Sequence, residues 1–444
     1  MPAEDVRRLH RDHINPTLVE ALALLGYGRD FVRGEGIRLW DAEGRMYRDF
    51  LAGYGTLLLG HNHPEVREAI DEVLRAGVPQ FVQVSPQPLA GELAARLSRL
   101  APGGLDIAYF MSSGSVAVDG ALKLARAATH RARFVFAERA FHGITFGALS
   151  VTGHPHHRAP FEPLLPGCAR VPWGDAAAVE KELRRRDVAA VILETMQGEG
   201  GFRPPPAGYL ADVARLCHRF GTLLILDEVQ VGLGRTGRMF AYEREGVAPD
   251  VLVLAKGLSG GLVPVSAYLT RREIWQQAYG GLARYEAHAS TFSGGALACA
   301  AALATLQILE RDQLPARAET LGERLGQRLR AALGGHPMVR DIRGRGLLWG
   351  IELQTVGGDL GALAVGQWVA AGLMERGIVS QVGTQAPEVI RAEPPLTASE
   401  EDIDAFVRAL RATLEARAPS VAAATTGAAK TFLTAKLAAW RSQP

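Results

Sequence analysis

Cysteine is scarce in this 444-residue chain. Cys168, Cys217 and Cys299 are odd in number and far apart, which excludes a disulfide framework and a metal knuckle and suits a reducing cytoplasm. Charge imbalance is nearly absent as well. A formal net charge of +2 gives no reason to expect nucleic acid or a membrane surface as partner. No apolar run approaches the roughly 20 residues that cross a bilayer. The N-terminal MPAEDVRRLH has no apolar core of the signal-peptide kind. No internal repeat is visible. The histidines His154, His156 and His157 flank Pro155 as in a solvated loop, so no metal is expected. What is left is an ordinary globular composition, 48% hydrophobic and 22% charged, on a chain too long for one simple core.

Short apolar runs alternate with helical patterns through the middle of the chain. DIAYFM, ARFVFAERA, DVAAVILET, GTLLILDEV and DVLVLAKG read as strands, with VAVDGALKLARAAT and ADVARLCHRF as helices among them. Continuous rather than alternating apolar runs suit strands covered on both faces, and strands alternating with helices predict a mostly parallel sheet. The expected class is therefore α/β, a large domain with a smaller α+β domain built from both chain ends. Residues 1–60 are assigned to the small domain, 61–300 to the large one and 301–418 to the C-terminal part of the small one. IRLWDAEGRMYRDF predicts a hairpin around Asp41–Gly44, and ASEEDIDAFVRALRATLEARA an amphipathic final helix with an acidic first turn. Residues 419–444 read as a small-residue linker, PSVAAATTGAA, and a short tail helix on which Phe432, Leu433, Leu437 and Trp440 would share a packing face.

One stretch breaks the apolar logic. VLVLAKGLSGG sets Lys256 directly behind an apolar strand, where an unpaired buried charge costs several kcal/mol. The problem vanishes if Lys256 is a covalent anchor, an imine to a cofactor aldehyde. Two other features converge with it. Asp227 ends the strand LLILD and needs a cationic partner, while Ser113-Gly114-Ser115 lies between strand and helix, where backbone N–H groups and the helix dipole bind anions. All three fall at carboxyl ends of strands, where open α/β sheets collect ligands. An amine anchor, an acid for a ring nitrogen and a phosphate cup together describe pyridoxal 5′-phosphate.

From about Gly34 to Arg417 the chain resembles the class III pyridoxal-phosphate aminotransferases of fold type I, the ω-aminotransferase group. LILDEVQVGLGRTGRMFAYEREGVAPDVLVLAKGLSGG is similar to the signature block of that family. AFHGITFGALSVTGH and QGEGGFRPPPAGYL look especially like putrescine aminotransferases and their diamine-using relatives. The resemblance implies Lys256 and Asp227 as catalytic residues. It implies cofactor contacts from Ser113, Gly114, Ser115, Phe141 stacked on the ring, Gln230 at the 3′-oxygen, and His142, expected mainly to support the turn. Thr291 in HASTFSGG would reach the phosphate of a neighbouring subunit, so a homodimer with shared sites is implied. Glu199 and Arg391 match a switch pair: Arg391 binds a substrate carboxylate, and Glu199 masks its charge when an amine without one enters. Tyr54 falls where relatives build the substrate pocket.

The implied activity is ping-pong transfer of an amino group between a terminal primary amine, or the corresponding aldehyde, and a 2-oxo acid such as 2-oxoglutarate or pyruvate. The alternatives are an acetylornithine or ornithine-type enzyme and a biosynthetic enzyme aminating a pathway aldehyde. Further off stand a racemase, mutase or decarboxylase on the same fold, and a scaffold protein keeping an inactive one. Val116 replaces the usual Glu beside the phosphate cup, with Asp119 three residues on. Thr195-Met196 replaces the usual Pro-Val or Pro-Ile, and Ser293 and Ala296 depart from T-F-G-G-N-P.

Overall fold

A computed structural model describes residues 3–441. The N-terminal strands β1 (Phe31–Glu35), β2 (Arg38–Asp41) and β3 (Met46–Asp49) form an antiparallel meander, with the expected turn between β2 and β3. The large sheet follows: β4 (Ile107–Met111), β5 (Arg133–Ala137), β6 (Cys168–Val171), β7 (Val188–Glu194), β8 (Leu223–Asp227), β9 (Val251–Leu254) and β10 (Ser266–Thr270). The remaining strands are β11 (Val339–Arg345), β12 (Leu348–Leu353), β13 (Ile378–Val379) and β14 (Val389–Ala392).

The seven-stranded sheet has the order β4-β10-β9-β8-β7-β5-β6. Only β10 is antiparallel, to both β4 and β9, so the other six strands run one way and release their chains at one end of the sheet. Every residue of β7 (VAAVILE) and of β9 (VLVL) is buried, as strands covered on both faces require. Sequence patterning missed β6 and β10. CARV is short and carries an exposed arginine, and SAYLT is polar at both ends.

β13 pairs in parallel with β3, joining the N-terminal meander to the C-terminal half. β12 pairs antiparallel with β11 and β14, with Gly350 opposite Arg391. Long helices span Ala296–Arg311 and Leu314–Leu333, and the expected final helix is Glu400–Arg417, which opens on a capping box between Ser399 and Asp402.

The expected linker is a correction. PSVAAATTGAA mostly lies within one continuous helix, Val421–Arg441, packed on the helix Gly358–Glu375. Ala424 and Ala428 are buried there, and a β-carbon at Gly427 would stand 2.3 Å from the Trp368 ring, so small residues serve close helix packing rather than flexibility. The side chains of Phe432, Leu433, Leu437 and Trp440 lie outside the described residues.

Candidate active site

The strand ends converge on a cavity of about 490 Å³ lined by Ser112–Ser115, Phe141–Gly143, Glu194, Asp227, Gln230 and Lys256. Each wall comes from a different strand. β4 leads into the helix Gly114–Thr129, whose cap Ser113 accepts a hydrogen bond from Val116 N at 3.4 Å and leaves the first amides facing the cavity. β8 delivers Asp227 and the turn that carries Gln230, and β9 delivers Lys256. Lys256 sits at φ +46°, a left-handed conformation costly for a side-chain-bearing residue and characteristic of functional sites. It has no hydrogen-bond or ion-pair partner among the described residues. Burial lowers its pKa, partly opposed by the Glu199, Glu393 and Asp227 carboxylates, so the amine gives up its proton more readily than an ordinary lysine.

Asp227 is gripped from behind. Its Oδ2 lies 2.8 Å from Nδ1 of buried His142, and its Oδ1 accepts from Val229 N at 2.9 Å. His142 therefore supports the carboxylate as well as the turn, where its own N–H donates to Thr152 Oγ1 at 3.2 Å. Gly143, next to it, lies at φ +120°, and a β-carbon there would stand 2.2 Å from Ser115 Oγ. The loop and the helix N-terminus meet too tightly for any other residue.

Arg391 (β14) and Glu199 form a buried ion pair through Nη2 and Oε2. Glu199 Oε2 also accepts from Thr384 Oγ1 at 2.7 Å and from Thr384 N at 3.2 Å. Burial works against ionisation of Glu199, but the Arg391 and Lys256 charges outweigh it and hold the pKa at about 2. Tyr54, whose hydroxyl donates to Gln381 Oε1, lies under the guanidinium, 5.2 Å from Arg391 Cζ to the ring centroid. Thr291 is not brought to this cavity. It lies on an exposed segment, its carbonyl accepting from Gln83 Nε2 at 2.9 Å.

Two carboxylates here escaped sequence reasoning. Glu194 ends β7 as Asp227 ends β8; it accepts from Phe141 N at 3.0 Å and Gly198 N at 2.8 Å, and burial lifts its pKa to about 7. Its strand-end position was the available signal. Glu393, two residues after Arg391, accepts from Gln230 Nε2 at 3.0 and 3.2 Å.

The departures in sequence leave the cavity wall intact. Val116 packs into the apolar cluster behind the sheet, Asp119 abuts Gly147, and neither lines the cavity. Thr195 donates to the buried Glu228 carboxylate at 2.7 Å, and Met196 fills a small cluster with Phe202 and Val231.

Residues 26–414 match the family described as aminotransferase class-III. The chain belongs to the class III aminotransferases. It is 39% identical to the aminotransferase PigE of Serratia sp. (strain ATCC 39006) over 91% of its own length and 53% of that protein, so it spans about half of that relative. Among solved structures it is similar to a thermostable (S)-enantioselective ω-transaminase from Thermomicrobium roseum, with TM-score 0.85 and 33% identity over 94% of this chain and 99% of that one. It is also similar to the ornithine aminotransferase from Toxoplasma gondii, with TM-score 0.84 and 32% identity over 94% and 96%. Those neighbours place the aminotransferase in fold type I, with which the mostly parallel sheet agrees. Family members use pyridoxal 5′-phosphate, and the cavity fits it: an unpartnered amine, a braced carboxylate and a glycine-tight helix N-terminus face one volume. Among the described residues no group of His, Cys, Asp or Glu could hold a metal ion, and no helix is long and apolar enough to cross a membrane.

Proposed function

We propose that this class III aminotransferase is an ω-aminotransferase. It moves an amino group between a terminal primary amine, such as a diamine or an amine on a longer intermediate, and a 2-oxo acid such as 2-oxoglutarate or pyruvate. The buried Arg391–Glu199 pair close to Lys256 carries this reading. A cationic carboxylate receptor with its own retractable counter-ion lets one pocket accept substrates with and without a carboxylate in turn. Similarity to the Thermomicrobium ω-transaminase supports it.

When bound, pyridoxal 5′-phosphate supplies an aldehyde for the amine and a ring that takes up the electron pair left as the Cα–H bond breaks. Lys256, whose pKa burial lowers, would be the nucleophile that holds the cofactor and then the base that carries the Cα proton. Asp227, its Oδ2 2.8 Å from His142 Nδ1, would face the ring nitrogen and keep its proton in place. Ser113, Gly114 and Ser115 would hold the phosphate at the helix N-terminus. Phe141 would cover one ring face and Gln230 would contact the 3′-oxygen, both from the cavity wall, and Tyr54 would shape the substrate side beside Arg391.

Thr291 reaches a second subunit's phosphate in a cytoplasmic homodimer. Its neighbourhood supports that surface: exposed Phe81 and Phe292 meet edge-to-face at 5.1 Å, with Val84, Leu282 and Tyr285 exposed on the same segments. The three free cysteines agree with a reducing compartment.

The test is a panel of terminal amines and ornithine derivatives against purified protein, with 2-oxoglutarate and pyruvate as acceptors, read by amino acid formed. Transfer from diamines or ω-amino compounds in preference to ornithine or acetylornithine is expected. Preference for the latter returns the chain to the ornithine-type reading, which its likeness to the Toxoplasma enzyme favours. A racemised or decarboxylated substrate with no amino transfer overturns the proposal.

A further inference from the structure

Glu393, beside Arg391, has no part in the proposed chemistry. Glu393 is fully buried, immediately beyond β14. Both oxygens accept from Gln230 Nε2, and Oε2 lies 3.6 Å from Arg391 Nη1. A β-carbon at Gly55 would stand 2.4 Å from Oε1, so the carboxylate is packed from the other side as well, and its backbone N–H is tied to Phe50 O at 2.9 Å. Burial raises the pKa of Glu393, while the charges of buried Arg235, of Arg391 and of Lys256 and the Gln230 hydrogen bonds work against that shift and favour the ionised carboxylate. Glu393 is thus held between Gln230 on one side and the Gly55 backbone on the other.

The N–H groups of Arg391 are unequally engaged. Nε donates to Val382 O at 3.2 Å, Nη2 is paired with Glu199, and Nη1 is buried without a hydrogen-bond partner. Tyr54 and Phe202 cover the guanidinium at 5.2 and 5.3 Å. A substrate carboxylate binds arginine best as a two-pronged fork. The Nε edge is occupied by a carbonyl, so the fork open after Glu199 withdraws is Nη1 with Nη2. That fork has Glu393 against one prong. An entering carboxylate must therefore share its receptor with a fixed like charge.

We propose that Glu393 is a specificity-determining residue: its immovable negative charge beside Arg391 weakens every substrate that brings a carboxylate to that arginine, and so tilts the pocket toward amines that lack one. This rests on the aminotransferase reading above, with Arg391 as the carboxylate receptor.

Glutarate, an unreactive dicarboxylate, probes the receptor without turnover. Binding of glutarate to the cofactor-loaded enzyme by calorimetry, for wild type and Glu393→Gln, is expected to tighten about tenfold in the variant, the scale of one like-charge contact partly screened by protein. The KM for a 2-oxo acid falls in parallel, while the KM for a terminal diamine changes less than about twofold. Glu393→Asp, whose shorter carboxylate recedes from Nη1 but keeps its charge, falls between the two. If Glu393→Gln does not fold, Glu393→Asp alone decides by the same measurement. Unchanged or weaker glutarate binding in the folded variants, or equal shifts for oxo acid and diamine, overturns the proposal and leaves Glu393 as a brace for Gln230. Failure of the wild type to transfer amino groups at all would instead sink the functional reading, so the two failures are distinguishable.

Discussion

Gly143→Ala perturbs the cofactor site at its tightest point. The new β-carbon would stand 2.2 Å from Ser115 Oγ, 2.7 Å from its Cβ and 2.9 Å from its Cα, where ordinary contact begins at 3.4 Å. Ser115 must therefore retreat by about 1 Å, and it belongs to the first turn of the helix Gly114–Thr129, proposed to cup the phosphate. The φ of +120° adds strain of roughly 1–3 kcal/mol for any residue with a β-carbon. Misaligning one charge-assisted N–H bond to a phosphate forfeits about 1.5–3 kcal/mol, a tenfold to hundredfold rise in cofactor Kd. The assay is titration of cofactor-free protein with pyridoxal 5′-phosphate, followed by visible absorbance, with denaturant midpoints as a check on folding. Ser115→Ala by itself removes only the hydroxyl that accepts from Ile144 N at 3.2 Å, and should weaken binding less than Gly143→Ala. Adding Ser115→Ala to Gly143→Ala should not restore affinity, because the contacts with Ser115 Cβ and Cα persist. A Gly143→Ala protein that binds cofactor within about twofold of wild type would refute the assignment of this turn.

The rate of cofactor attachment to Lys256 should rise with pH to a plateau whose midpoint lies below the ordinary lysine value of 10.5, because burial lowers this pKa; a midpoint at or above 10.5 contradicts a desolvated amine. His142→Phe keeps a ring but removes the nitrogen 2.8 Å from Asp227 Oδ2, and should lower kcat about tenfold or more with KM nearly unchanged, as expected for a displaced catalytic group. Glu199 has a folded pKa of about 2 against an ordinary 4.5, so its ionised form stabilises the fold above pH 4.5 and that contribution is lost as pH falls toward 2. Denaturant unfolding at pH 7 should then show Glu199→Gln less stable by about 3 kcal/mol, a gap that narrows below pH 4.5; a gap that does not depend on pH would count against the buried ion pair.

What was legible in the chain follows from the range of the interactions involved. Strands β7, β8 and β9 announce themselves because burial on both faces demands continuous apolar runs, and Lys256 and Asp227 stand out as charges that such runs do not tolerate unless employed. Strand β10 was invisible: its SAYLT is specified by the neighbours it pairs with, β4 and β9, rather than by its own pattern. The tail read as linker because Ala, Thr and Gly signal flexibility in isolation; only Trp368, about 60 positions earlier, turns Gly427 into a packing residue.

The site divides along the same line. Glu393 looks ordinary beside Pro394, since its significance depends on Gln230 and Arg391 being folded around it. The His142–Asp227 contact spans 85 positions. Residues conspicuous in sequence are those that break a local rule, and residues that tune them obey every local rule. In this chain the proposed chemistry is therefore read from Lys256 outward, whereas the proposed selectivity rests on pairings such as Glu393 with Arg391 that only the folded sheet brings into register.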